Sequence, residues 1–369
     1  MKKDWYTVDN IESFDTPALL LYPERIKSNI QQMIESVGDP KRLRPHIKTH
    51  KMGEIVQLQM QAGIQKFKCA TIAEAELLAQ CQAPDILLAY QPVGPKIQRL
   101  FRLIDSFPKS RFSALVDNSH SAREMAQQAQ HEGRVLEVFL DIDNGYHRSG
   151  IEPGKEAFDL YQRCLTLEGL RPLGLHAYDG HVRISDLEER QALSNRDFNS
   201  LSQLILDIEQ LIGHSPIIIV GGSPSFPTHT SRLQVECSPG TVLLWDWGYG
   251  RRFQDMDYQH AALVACRIIS KPGKDRICVD LGHKAIAADQ PVPRVHFLNL
   301  TNARQVIHSE EHLVMEVGDN SRFAIGQVLY GVPVHICPTC ALYDEAFIIE
   351  KHHIVQSWTI AARRRRIKV

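Results

Sequence analysis

The sequence predicts an α/β chain in which a (β/α)8 barrel is followed by an all-β domain. Two observations predict it. Up to about residue 245, short runs of β-branched and aromatic residues alternate with stretches of helical period; beyond that point strand-like runs follow one another directly. Parallel strands need crossovers, and closing them into a ring leaves no exposed sheet edge. Successive strands without crossovers instead read as an all-β domain.

Taken in order, "DTPALLLY" (15–22) precedes the barrel as a strand or linker. Eight candidate barrel strands follow: "LRPHIKT" (43–49), "KFKCATI" (66–72), "DILLAYQ" (85–91), "RFSALVD" (111–117), "LEVFLDID" (136–143), "PLGLHAY" (172–178), "PIIIVGG" (216–222) and "LQVECSP" (233–239). Between them, "MGEIVQLQMQAG", "AEAELLAQCQ", "PKIQRLFRLID", "SHSAREMAQQAQHEG" and "DLEERQALSNRDFNSLSQLILDIEQLIG" repeat apolar residues at helical spacing. Little room for a helix remains between 223 and 232. The later strands are "TVLLWDW", "HAALVACRII", "DRICVDLG", "RVHFLNL", "HLVMEVG", "QVLYGVPVHI" and "AFIIEKHHIVQSWTIAA". The expected domains are a barrel over 15–245 and a β-rich domain over 246–369, which a strand in 1–14 could join.

With 42 basic and 43 acidic side chains, the chain of 369 residues has no charge imbalance that would mark a nucleic-acid or anionic-membrane partner. No uncharged apolar run reaches the roughly 18 residues of a membrane span, and no apolar run follows the opening "MKKDWYTVDN". A cytoplasmic protein acting on a small molecule is expected. The eight cysteines are scattered, several within apolar runs, as reduced buried thiols are. The closing "ARRRRIKV" reads as a solvated tail.

Barrel enzymes place reactive groups at the C-terminal ends of strands. In "RPHIKTHK", alternation would put His46, Lys48 and His50 on one face and turn Lys51 away. Crowding of cationic groups lowers a lysine pKa, which a Schiff-base lysine needs, although the same segment would also serve as a polar barrel mouth without chemistry. In "VGGSPS", Gly221, Gly222, Ser223 and Ser225 can present N–H groups and hydroxyls to a phosphate at the seventh strand. A lysine at strand one and a phosphate cradle at strand seven are the two anchors of pyridoxal phosphate.

Other segments carry chemistry at strand ends. Arg148 in "DIDNGYHRSG" could order Lys48 or the cofactor ring, or form a salt bridge with Asp141 or Asp143. In "GLHAYDGH", Tyr178 could contact the ring or be a core tyrosine, while His181 and Asp179 are acid–base candidates, Asp179 alternatively a helix cap. Read as a strand, "HICPT" points His335 and Cys337 to one side, an imidazole and a thiolate for one metal with positions left open. A zinc knuckle built on "CPTC" lacks a second pair, since His352 and His353 are adjacent. A redox pair would require "CPTC" to open a helix after a strand, which this reading does not give it.

Together, "RPHIKTHK", "DIDNGYHRSG", "GLHAYDGH", "GGSPS" and "HICPT" resemble the fold-type III pyridoxal-phosphate enzymes of the alanine racemase-like superfamily, and within it the D-threonine aldolase and D-serine dehydratase family. The match runs in order over nearly the whole chain. The resemblance implies an alanine racemase N-terminal-like barrel with a β-domain, working as a homodimer. It makes Lys48 the cofactor-bearing lysine, with His46, Arg148, Tyr178, Gly221, Gly222, Ser223 and Ser225 around the cofactor. It assigns catalysis to Lys48, His181 and Tyr178, and a divalent metal, zinc before manganese, to His335 and Cys337. The implied activity is cleavage of small D-3-hydroxy amino acids to glycine and an aldehyde. Dehydration of D-serine or 3-hydroxy-D-aspartate comes second; the family's aldolases carry a His-x-Asp metal pair where this chain has His-x-Cys. A racemase would need bases on both cofactor faces and leave the metal pair unexplained, and a non-enzymatic cofactor-binding protein would resemble the barrel alone.

Overall fold

The computed structural model describes residues 3–369, and the chain divides into two units. A β-rich unit comprises residues up to 32, 49–54 and 241–363; a barrel unit comprises 33–48, 55–240 and 364–369. Relative to the expected boundary at 245/246, residues 15–32, 49–54 and 241–245 group with the β-rich unit and 364–369 with the barrel unit.

Strand β1 (Ala18–Leu21), buried along its whole length, belongs to the β-rich unit. The barrel unit holds β2 (Lys66–Cys69), β3 (Asp85–Leu88), β4 (Arg111–Val116), β5 (Leu136–Asp141), β6 (Leu170–Ala177), β7 (Ile217–Val220) and β8 (Val235–Cys237). They form one parallel sheet in chain order. Each matches an expected strand. The expected strand at 43–49 is not regular: Leu43 bridges Cys237 of β8 and His46 bridges Lys68 of β2, both in parallel. This segment therefore occupies the eighth staff of the ring. Pro45 has no N–H to donate, and 47–50 form a turn that ends in Lys51 at φ 59°. His46, Lys48 and His50 consequently do not share a strand face.

The crossover expected as one long helix is two, Leu187–Asn199 and Ser202–Ile212, and the cramped last crossover holds only the four-residue helix Phe226–His229. Leu87, Leu115, Phe139 and Ile219 form an apolar cluster of the barrel. The first or second residues of six barrel strands, with Arg44, build a chain of alternating charge. Lys66 pairs with Glu236, Glu236 with Arg44 (2.7 Å), Arg44 with Asp85 (2.5 Å), Asp85 with Arg111 (3.9 Å), and Arg111 and Arg171 both with Glu137.

The β-rich unit continues with β9 (Ala262–Ser270), β10 (Arg276–Val279), β11 (Val295–Phe297), β12 (Arg304–His308), β13 (Leu313–Glu316), β14 (Val328–Pro333), β15 (Glu345–Glu350) and β16 (His353–Thr359). The strand order is β12-β13-β10-β9-β1-β15-β16, with β14 pairing β9 and β11. Two readings need correction. "TVLLWDW" is a 3-10 turn (Thr241–Leu243) leading into the helix Trp247–Arg252, and "ICPTC" is the short helix Ile336–Cys340 directly after β14. "CPTC" thus does lie on a helix after a strand, and the strand argument for pairing His335 with Cys337 fails.

Candidate active site

Tyr178, just past β6, is the hub of the barrel centre. The Lys48 and Lys68 amines each lie 5.5 Å from its ring centroid, and the Arg148 guanidinium lies 4.8 Å from it and 4.8 Å from the Tyr146 ring. The ring is held where only glycine fits beside it: a Cβ at Gly180 would come within 2.4 Å of its edge, and one at Gly222 within 2.8 Å. Arg148 stacks on rings instead of bridging to Asp141 or Asp143, whose oxygens have other donors. Asp143 accepts from the N–H groups of Gly145 and His147. Asp141 takes His176 Nδ1 (2.8 Å), Gln91 (2.7 Å) and Ser149 (3.0 Å). Burial works to raise the Asp141 carboxyl, but these partners hold it below its ordinary value.

His176 uses both nitrogens, its Nε2 lying 3.3 Å from Lys68 Nζ. Neither residue was singled out in the sequence. Burial, with Lys48 nearby, pulls the Lys68 ammonium down to about 7. Burial, with Lys68 nearby, lowers His176 as well. Cationic crowding thus acts on a buried lysine of β2.

The loop after β7 carries the expected phosphate residues. Gly221 has φ 79°, and Ser223 Oγ accepts the Gly240 N–H at 3.1 Å. Gly240, in "SPG", is a further member of this loop cluster that the sequence did not mark as functional. Ser225 is engaged internally: its hydroxyl donates to Asp179 (2.6 Å) and accepts from Gly222 N (3.2 Å). Asp179 also meets His229 Nε2 at 2.7 Å. It is therefore a buried strut of the loop; the next helix is capped by Asp186 instead. His46 Nδ1 accepts the Lys48 N–H at 3.2 Å.

His181 joins this group through Tyr146, which stacks on its ring (5.8 Å, 20°) and meets Tyr178 edge-on (5.7 Å). His181 Nε2 lies 2.7 Å from Asp197 Oδ2, and its Nδ1 is buried without a hydrogen-bond partner. When Nε2–H donates to the carboxylate, the lone pair at Nδ1 is free to take a proton. An amine, a loop closed to side chains at Gly222, and cations around an aromatic ring are a donor set that fits pyridoxal phosphate.

The second centre lies in the β-rich unit. His335 occupies the N-cap position of the Ile336–Cys340 helix without a side-chain capping bond, and its Nδ1 lies 2.6 Å from Asp289 Oδ2. The Cys337 sulfur meets the hydroxyls of Thr49 (3.1 Å) and Thr241 (3.4 Å). Burial opposes charge on both groups, but each favours the charged form of the other, so His335 is raised and the Cys337 thiol lowered. Asp246 accepts the N–H groups of Tyr249 (2.9 Å) and Ile336 (3.1 Å), so one carboxylate caps both short helices. An imidazole nitrogen and a cysteine sulfur are a donor set that fits a divalent metal, and Asp289 orients the imidazole. Among the described residues no group of three or more His, Cys, Asp and Glu side chains forms a metal cluster.

Comparison with known proteins bears on both centres. Residues 22–246 match the family described as "Alanine racemase, N-terminal domain", and residues 261–349 match "Putative serine dehydratase domain". D-threonine aldolase of Arthrobacter sp is 27% identical, over 96% of this chain and 94% of its own. D-threo-3-hydroxyaspartate dehydratase of Delftia sp. (strain HT23) is 26% identical, over 95% and 98%. Among solved structures, D-threonine aldolase from Filomicrobium marinum superposes with a TM-score of 0.88 at 26% identity, over 97% of this chain and 98% of that one.

Proposed function

The chain belongs to the alanine racemase N-terminal domain family, and on that premise we propose that it is a pyridoxal-phosphate- and divalent-metal-dependent lyase that cleaves small D-3-hydroxy amino acids to glycine and an aldehyde. The observation that carries this reading is the His181–Asp197 dyad, with its buried, unpartnered Nδ1. Cleavage between Cα and Cβ begins with loss of the 3-hydroxyl proton, and a carboxylate-oriented imidazole is suited to take it.

Lys48 would hold the cofactor, whose ring supplies the electron sink for the bond broken at Cα. The remaining work falls to the chain. The N–H groups of Gly221 and Ser223 would hold the phosphate, with Gly222, whose own N–H is on Ser225, leaving room for it; Arg148 and Tyr178 would fix the ring, and Asp179 with Ser225 braces the loop. His335 and Cys337 would hold the metal, zinc first because thiolate favours it and manganese second, supplying a Lewis acid for an oxygen of the substrate. The same reading takes the protein as a cytoplasmic homodimer without nucleic-acid or membrane partners; among the described residues no helix is long and apolar enough to cross a membrane.

A second reading rests on Cys337. A thiolate–zinc pair suits departure of the 3-hydroxyl while Lys48 removes the Cα proton, the dehydration of D-serine or 3-hydroxy-D-aspartate, and the Delftia relative is named for such a reaction. Incubating zinc-loaded and manganese-loaded holoenzyme with D-threonine separates the two readings. Glycine with acetaldehyde is expected; 2-oxobutyrate with ammonia makes the protein a dehydratase. Chelation should abolish either activity while circular dichroism stays unchanged, because an open two-ligand site does not nucleate the fold.

A further inference from the structure

We propose that Lys68 is a cofactor-pocket residue, the inner end of an Asp141–His176–Lys68 relay that would hold a proton for bound pyridoxal phosphate. The inference rests on the cofactor reading above and adds a residue and a role to it.

Three observations support the relay. Lys68 is 2% exposed, and the partner of its amine is not a carboxylate but His176 Nε2 at 3.3 Å. His176 is 3% exposed and is tied at Nδ1 to the buried carboxylate of Asp141, so the Nδ1–H tautomer leaves a lone pair at Nε2 for a Lys68 N–H. Finally, Lys68 and the cofactor-bearing Lys48 stand at the same 5.5 Å from the Tyr178 ring. A buried lysine that served only the fold would be expected to lie against a carboxylate. Here the hydrogen-bond partner of Lys68 is an imidazole, itself held by Asp141.

The charged and titratable groups around Lys68 come from several elements: Lys48 from the 47–50 turn, Asp141 from β5, Arg148 from the loop after it, His176 from β6, and Asp179 and Tyr178 beyond β6. Burial and the two cations act against its charge, and the two carboxylates favour it. The balance leaves Lys68 able to exist in either form near neutrality. The proton would pass from Lys68 Nζ to a heteroatom of the ring; Lys68 would be left neutral with one of its two remaining N–H bonds on His176, and no other bond would change.

The test is a pH titration of the visible absorbance of the cofactor on wild type, Lys68→Met, Lys68→Arg and Asp141→Asn. Wild type should show an inflection near pH 7. It should vanish in Lys68→Met and in Lys68→Arg, which stays charged. In Asp141→Asn it should move to lower pH, because a carboxylate that favours the ammonium is gone. An unchanged inflection in Lys68→Met and Lys68→Arg overturns the relay. If Lys68→Met does not fold by circular dichroism, Lys68→Arg and Asp141→Asn decide. Borohydride reduction and peptide mapping run alongside: no cofactor fixed on Lys48 overturns the parent reading and the relay with it, whereas fixed cofactor with a Lys68-independent titration overturns the relay alone.

Discussion

The barrel carries charge in opposite ways at its two ends. At the strand starts, Lys66, Glu236, Arg44, Asp85, Arg111, Glu137 and Arg171 alternate in sign, and each touches an opposite charge. Around Tyr178, Lys48, Lys68 and Arg148 gather on one ring, while Asp141 and Asp179 are committed to His176 and His229. A buried charge beside its partner serves the fold, because removing either one strands the other. Like charges gathered around one ring oppose the fold and shift protonation, the usual condition of a reactive site.

Substitutions at the two ends should therefore behave differently. The largest effect is expected for Lys48→Ala. It should abolish the visible absorbance of lysine-bound cofactor and lower turnover by about three orders of magnitude or more, since proton transfer by such a group is alone worth about 10²–10⁴. Lys51→Ala should retain the absorbance; finding the borohydride-fixed cofactor on a Lys51 peptide instead would reverse the assignment. At the opposite end, Arg44→Met leaves Glu236 and Asp85 with fewer partners and should cost about 3–5 kcal/mol in urea unfolding, with turnover per folded molecule unchanged. A loss below about 1 kcal/mol would mean that the alternating chain is not structural.

The smallest effect has the opposite sign. Lys68 gives up its proton at about 7 in the folded protein, whereas in the unfolded chain it does so near the ordinary lysine value of about 10.4. Between those values the unfolded chain binds more protons, so wild-type stability rises with pH, by at most about 1.4 kcal/mol per unit. Lys68→Met lacks that slope. It should be more stable than wild type by about 1–2 kcal/mol near pH 6.5, the lost His176 hydrogen bond included, and the gain should shrink towards about pH 9.5. A variant less stable than wild type at both pH values would make Lys68 structural, like Arg44.

The barrel was legible because its strands are short apolar runs bounded by polar crossovers, a pattern that each run carries within itself. What could not be read locally depended on distant partners. "LRPHIKT" has the composition of a strand, but Pro45 and the turn at 47–50 reduce it to two bridges. "HICPT" reads as a strand until Asp246, 90 residues upstream, caps it into a helix. Lys68 hides in the ordinary alternation of "KFKC", and only the approach of His176 distinguishes it from Lys66. Asp197 sits in a polar helical stretch that gives no sign of its bond to His181. Residue types at strand ends pointed to Lys48, Tyr178 and Arg148; the carboxylates and imidazoles behind them required the fold.

Strand β1 has a consequence for how the chain is made. Its four residues pair with Ala262–Ala265 of β9, and Leu20 and Leu21 also pair with Phe347 and Ile348 of β15, whose residues lie more than 320 positions downstream. At bacterial or eukaryotic synthesis rates of about 5–20 residues per second, "ALLL" waits on the order of tens of seconds after leaving the ribosome before that last partner exists. During that interval the barrel strands, whose partners are neighbours in the chain, can already pair. Until residues of β15 are made, β1 therefore lacks part of its native pairing.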